Sequence, residues 1–175
     1  MTQVVFTVAD SVRDRSHLID LNIEYMGWAF AGVEAHFHVP ANDIMGMPVE
    51  QYVPTVIDKV CGDPPPKGIF YLVHVDGGLA GMGGIRYLRE GAAEIKRIYF
   101  RPAYRGNKLG ETMLKRLLAD AHAFGYASVF LDSGPFMTSA HKAYEACGFA
   151  DCEPYEGTEV PPPFRAQWRF MSLSL

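Results

Sequence analysis

The sequence offers little for a redox or metal framework. Cysteine occurs three times in 175 residues, at Cys61, Cys147 and Cys152. No C-x-x-C spacing is present, and an odd count fits reduced thiols inside a cell better than disulfides. The plain reading of all three is small, buried apolar side chains. His36-Phe37-His38 sets two imidazoles on alternate residues, but the pattern holds no third ligand, so no metal is expected. Apolar runs long enough to span a membrane are missing. Met1 to Asp10 lacks the basic region, apolar stretch and small-residue cleavage site of a secretory signal, so a soluble cytoplasmic protein without a membrane partner is expected. Excess positive charge is missing as well. A net charge of -4 and a pI near 5.8 argue against a nucleic-acid-binding face. Neither G-x-x-x-x-G-K-[ST] nor G-x-G-x-x-G occurs, which excludes the phosphate loop and the dinucleotide fingerprint.

What the chain does have is enough apolar residue, 49%, for one self-sufficient core, so residues 1–175 are expected to form a single domain. Its two Pro-Pro-Pro runs, Pro64–Pro66 and Pro161–Pro163, are too short for domain spacers and read as stiff loop segments. Residues 3–8 are β-rich. After a cap at Asp10 or Ser11, Leu18, Leu21, Tyr25, Trp28 and Ala29 fall at helical spacing. Residues 31–46 stay ambiguous, and residues 49–60 predict a second helix. Residues 68–75 and 79–88 flank Asp76-Gly77-Gly78, a hairpin turn that exploits the positive φ open to glycine. Residues 93–100 add a third strand of that sheet. The period then changes: Leu109, Met113, Leu114, Leu117, Leu118, Ala121 and Phe124 lie on one stripe of a helix ending near Gly125. A strand at 128–132, a helix at 138–147 and a strand at 167–173 follow. The order is β-α-α-β-β-β-α-β-α-β-β, a mixed α/β domain with one β-α-β crossover.

The informative junction runs from Ile95 to Gly110. A strand enters Arg101-Pro102-Ala103-Tyr104, and Arg105-Gly106-Asn107-Lys108-Leu109-Gly110 then opens the long helix. Such a turn presents unpaired backbone N–H groups at the positive end of a helix dipole, where a pyrophosphate binds well. Seven of the 16 Lys and Arg residues fall between Lys96 and Arg116, around this junction. The segment resembles the acetyl-CoA signature of GNAT acetyltransferases. Arg105 and Gly110 match its ends, Gly106 fits the common Arg-Gly opening, and Lys108 replaces the usual central glycine. Downstream, Ala140-His141-Lys142-Ala143-Tyr144-Glu145-Ala146-Cys147-Gly148-Phe149 looks like the GNAT helix that ends in Tyr, three residues, Gly-Phe. Met137 stands where the family usually has an Asn on the pantetheine arm. The resemblance covers residues 68–173.

The resemblance implies an acyl-CoA N-acyltransferase fold and acetyl-CoA as co-substrate. It implies that strands 93–100 and 128–132 part, so that the cofactor arm lies against the backbone of Ile98, Tyr99 and Phe100 and its phosphates against residues 105–110. The same resemblance makes Tyr144 the acid that protonates the departing thiolate and Glu94 the candidate base. By strict alternation Glu94 would share a face with Ile98 and Phe100. A cationic amine is expected to meet Tyr25, Trp28, Glu50, Tyr52, Tyr155 and Glu156. The function expected is acetyl transfer to a small-molecule amine in a ternary complex. The alternatives are acetylation of a protein N-terminus or lysine, and a non-catalytic acyl-CoA sensor. Homodimers are frequent in the family resembled, so a second copy is an allowed partner.

Overall fold

A computed structural model of the chain describes residues 2–175; Met1, the first residue of the predicted single domain, lies outside the described residues. In chain order the elements are β1 (Val4–Val8), α1 (Arg15–Phe37), α2 (Ala41–Met45), α3 (Val49–Cys61), β2 (Ile69–Val75), β3 (Gly78–Arg89), β4 (Ala92–Phe100), α4 (Leu109–Ala123), β5 (Ser128–Ser133), α5 (Thr138–Ala146), β6 (Ala150–Asp151) and β7 (Arg169–Ser174). The strands form one mixed sheet in the order β1-β2-β3-β4-β5-β7-β6. This is the expected mixed α/β architecture with one helix added. Pro40 follows two residues after His38 turns left-handed to end α1, and Gly46, at φ 74, stops the next turn, so five residues between the two breakers make α2. Helix α1 begins at Arg15, not at residue 10 or 11. The Asp10 carboxylate accepts the backbone N–H groups of Val12 and Arg13 at 2.9 and 2.7 Å, which closes a separate turn before the helix.

Strand β2 is apolar apart from His74 because both of its faces are covered. Ile69, Tyr71, Val73 and Val75 pack with Leu109, Met113, Leu114, Leu117 and Ala121 of α4. Phe70 and Leu72 face the other way, into Leu18, Leu21 and Met26 of α1 and Val53, Ile57 and Val60 of α3. The predicted hairpin turn holds: Val75 pairs with Gly78, and Asp76 and Gly77 between them have φ of 48 and 81.

Two irregularities in β4 position the site. Its parallel partnership with β5 lasts for three pairs, Ala92–Ser128, Ala93–Val129 and Glu94–Phe130, and then the strands separate. Strand β5 keeps its other edge bonded to β7 from Ser128 to Ser133, so its course is secure while it leaves β4. Beyond Glu94 the β4 edge is therefore a row of backbone groups with no strand opposite. The register with β3 also slips between Met82 and Gly84, where Arg97 takes a left-handed φ of 58. This β-bulge resets the alternation of side chains.

Candidate active site

The gap between β4 and β5 opens into a groove of about 590 Å³. One wall is Ile98, Tyr99 and Phe100 of β4; the other is Phe136, Met137 and the first turns of α5; the floor reaches Arg105, Gly106, Lys108, Leu109 and Gly110. The sequence-predicted cofactor residues thus meet in one cavity, with the exception of Asn107, which is exposed and does not line it. The turn works as a cradle because Gly106 and Lys108 are both left-handed, at φ 88 and 55. No side chain caps α4, and the amide of Thr112 bonds back to the Lys108 carbonyl at 2.9 Å. The amides that precede Thr112 in the first turn have no helical carbonyl to bond. Lys108 holds its conformation without the freedom of glycine and keeps its ammonium exposed beside the cradle. Arg105 is anchored to the protein at the floor of the groove. Its Nε donates to the Phe100 carbonyl at 2.8 Å, and its guanidinium lies 5.6 Å from the rings of both Trp28 and Tyr99.

Tyr144 lines the inner part of the same groove, its ring edge-on to Phe149 at 6.0 Å. Burial pushes its phenol well above the ordinary tyrosine value, so it stays protonated and able to donate to a sulfur in the groove.

Glu94 does not reach this groove. The bulge at Arg97 places Ile95, Ile98 and Phe100 on the α4 face and Tyr99 on the α1 face, the side to which Glu94 also turns. Its side chain is fully buried and already engaged. Arg86 Nε donates to Oε2 at 2.7 Å, the Tyr155 hydroxyl donates to Oε1 at 2.8 Å, and Lys96 Nζ lies 3.4 Å away. Both of its oxygens are thus engaged, and the side chain lines no part of the groove in which an incoming amine would meet a thioester. The structure therefore places Glu94 in a buried ion-pair set on the other side of β4 from the groove, not on the face shared with Ile98 and Phe100 that alternation predicted.

A second cavity, of about 300 Å³, lies on the α1 side of the splay. Met137, just before α5, lines both cavities, so the two adjoin there. Of the acceptor residues expected from sequence, Tyr25 and Tyr52 line this pocket. Trp28 belongs to the groove instead, one helical turn from Tyr25 and across the splay. Glu50 faces a third cavity on the outer side of α1, with Glu34 and Asn42. Tyr155 lies beneath the pocket on Glu94, and Glu156 is exposed. The sequence reading missed Lys96, Arg97, Asp132, Glu159 and Trp168, which all line the pocket. Lys96 contacts Glu94, Glu159 and Asp132 at 3.4, 3.2 and 4.0 Å. The indole N–H of Trp168 donates to Asp132 Oδ1 at 3.0 Å. The one local signal was Asp132, an acid at the carboxyl end of a parallel strand, where open α/β sheets gather their ligands.

Among the described residues no group of His, Cys, Asp and Glu could hold a metal ion, and no helix is long and apolar enough to cross a membrane.

Comparison with known proteins agrees with this geometry. An N-acetyltransferase of Schizosaccharomyces pombe is 33% identical over 100 residues, 55% of this chain and 61% of that protein. An IAA acetyltransferase of Azospirillum brasilense is 32% identical over 95 residues, 54% of this chain and 61% of that one. The chain thus matches about three fifths of the length of these relatives. The crystal structure of PaiA N-acetyltransferase from Thermoplasma acidophilum, in complex with coenzyme A, superposes with a TM-score of 0.71 at 17% identity, covering 99% of each chain. The acetyltransferase (GNAT) family model matches residues 38–149, from the end of α1 through the turn after α5, and the chain belongs to that family.

Proposed function

We propose that this chain transfers an acetyl group from acetyl-CoA to the primary amine of a small molecule, with both substrates bound together. The observation that carries this reading is the parting of β4 from β5 after three residue pairs, directly above an uncapped helix N-terminus. A diphosphate fits the free amides of the 106–110 turn, and an extended thioester arm fits the unpaired edge of β4. The two cavities meet at Met137, which supports direct attack without a covalent enzyme intermediate. In that step the amine nitrogen bonds the acetyl carbon and the carbon–sulfur bond breaks. A backbone N–H of the β4 edge near the bulge stabilises the oxyanion, and Tyr144 protonates the departing sulfur. Asp132 borders the junction and takes the place assigned from sequence to Glu94, receiving the proton lost by the amine.

The volume of the acceptor cavity, about 300 Å³ and bordered by α2 and the 161–168 segment, favours a small acceptor over a protein terminus or lysine side chain. Tyr144 in the groove favours turnover over simple sensing. Three free thiols suit a reducing compartment such as the cytoplasm. Thiol release from acetyl-CoA over a panel of primary amines tests the reading. Release that depends on an amine is expected, and its absence for every amine, in a protein that still binds CoA, would leave only the sensor.

A further inference from the structure

The charges of the acceptor cavity are not evenly matched. Most of them form a closed set. Lys96 is held by Glu94, Glu159 and Asp132, while Arg86 joins Glu94 at 2.7 Å and Glu159 at 3.3 Å, and Lys59 reaches Glu159 at 2.9 Å. Three cations, Lys59, Arg86 and Lys96, thus neutralise three carboxylates, Glu94, Asp132 and Glu159. Arg97 stands outside this set. Its Nη1 donates to the neutral amide oxygen of Asn22 at 3.0 Å, and its guanidinium rests 5.4 Å from the centre of the Tyr25 ring.

That arrangement is built. Asn22 is 1% exposed, and its own N–H₂ is committed to the Leu18 carbonyl at 2.7 Å and to Met82 Sδ at 3.4 Å, so its oxygen points at Arg97. The left-handed backbone at Arg97 turns a side chain out of the strand's regular alternation and into the cavity wall. A guanidinium held by a buried amide and an aromatic face, with donors to spare and no carboxylate partner among the described residues, is a receptor for a planar anion.

We infer that the acceptor is an α-amino acid with a large apolar side chain, its carboxylate on Arg97 and its ammonium toward Asp132 at the junction with the groove. The side chain then lies among Phe30, Tyr52, Phe164, Trp168 and Val160. A polyamine fits poorly, because a second ammonium would meet the uncompensated guanidinium. The inference rests on the acetyl-transfer reading and goes beyond it in naming the acceptor's chemistry.

The test pairs each amino acid with its decarboxylated counterpart, L-phenylalanine with phenethylamine and L-tryptophan with tryptamine, and adds spermidine. Thiol release gives kcat/KM for each, and thermal melts of the plain-CoA complex with the same compounds give a readout without turnover. The wild-type protein is expected to prefer the amino acids by at least tenfold and to be stabilised by them. Arg97→Gln should cost about ten- to a hundredfold in kcat/KM for the amino acids, mainly through KM, and clearly less for the matching amines, so that the preference within each pair collapses. Arg97→Lys should keep part of the preference. Equal or better use of the amines or spermidine by the wild-type protein would overturn the inference while leaving acetyl transfer standing. So would an equal loss on both members of a pair in Arg97→Gln. Absence of thiol release with every amine would sink the acetyl-transfer reading and this inference together.

Discussion

The two cavities that meet at Met137 are made of different material. The groove toward α4 is mainly backbone: a left-handed turn, an uncapped helix start and an unpaired strand edge. The pocket toward α1 is side chain: aromatic rings from α1, α3 and the 161–168 segment around charged groups from β4, β5 and the loop before β7. Backbone donors survive most substitutions, so Lys108 can stand where glycine is usual without removing an N–H. Side chains that form an ion-pair set survive few, because each partner removed leaves another charge buried alone.

The sharpest way to break this contrast is Glu94→Ala. It takes from Arg86 and Lys96, whose side chains are 8% and 11% exposed, their one fully buried carboxylate and leaves them to Glu159 and Asp132, which should cost about 3 kcal/mol in a denaturant melt. Glu94→Gln separates the two roles considered for this residue. A stable protein with abolished turnover would restore it as the base, whereas loss of stability with residual turnover supports the anchor. Next in size is Tyr144→Phe, which keeps the ring against Phe149 and removes the donor. Turnover should fall about a hundredfold or more, with CoA affinity nearly unchanged in an equilibrium titration. If Tyr144→Phe turns over normally, another group protonates the sulfur.

The smallest effect concerns acid. Burial alone would raise the Glu159 carboxyl, but Lys96, Lys59 and Arg86 outweigh it and hold the group well below its ordinary 4.5. Its contribution to stability is therefore complete above pH 4.5 and is lost as pH falls through the lower folded value. Asp14, held at about 2 by the Arg13 guanidinium, loses its contribution between 3.8 and that value. Melting temperatures should drop along this acid limb, and Glu159→Gln should flatten it.

The same contrast decides what could be read without a structure. The groove was legible because its parts are consecutive: the Arg105–Gly110 turn, the stripe from Leu109, and Tyr144 four residues before Gly148. The acceptor pocket draws on segments more than a hundred residues apart, and no local pattern marks Arg97 or Glu159 as neighbours of Tyr25. Glu94 was misplaced for a specific reason. Alternation assumes an unbroken strand, and the bulge falls on Arg97, a residue that does not advertise a positive φ as glycine would. Trp28 and Tyr25 share one helical stripe, and only the position of α1 across the splay assigns them to different cavities. Helix α2 escaped notice because five residues carry too little periodicity to register.

The central claim is that free amides at the start of α4 and the open edge of β4 together hold a CoA thioester. The direct measurement is a thermal melt with acetyl-CoA, CoA, ATP and NAD, each at a hundred times its dissociation constant or at the solubility limit. Acetyl-CoA and CoA should each add about 2.7 kcal/mol of stability, and NAD should add none. Stabilisation by ATP or NAD without any by the two CoA species would contradict the account.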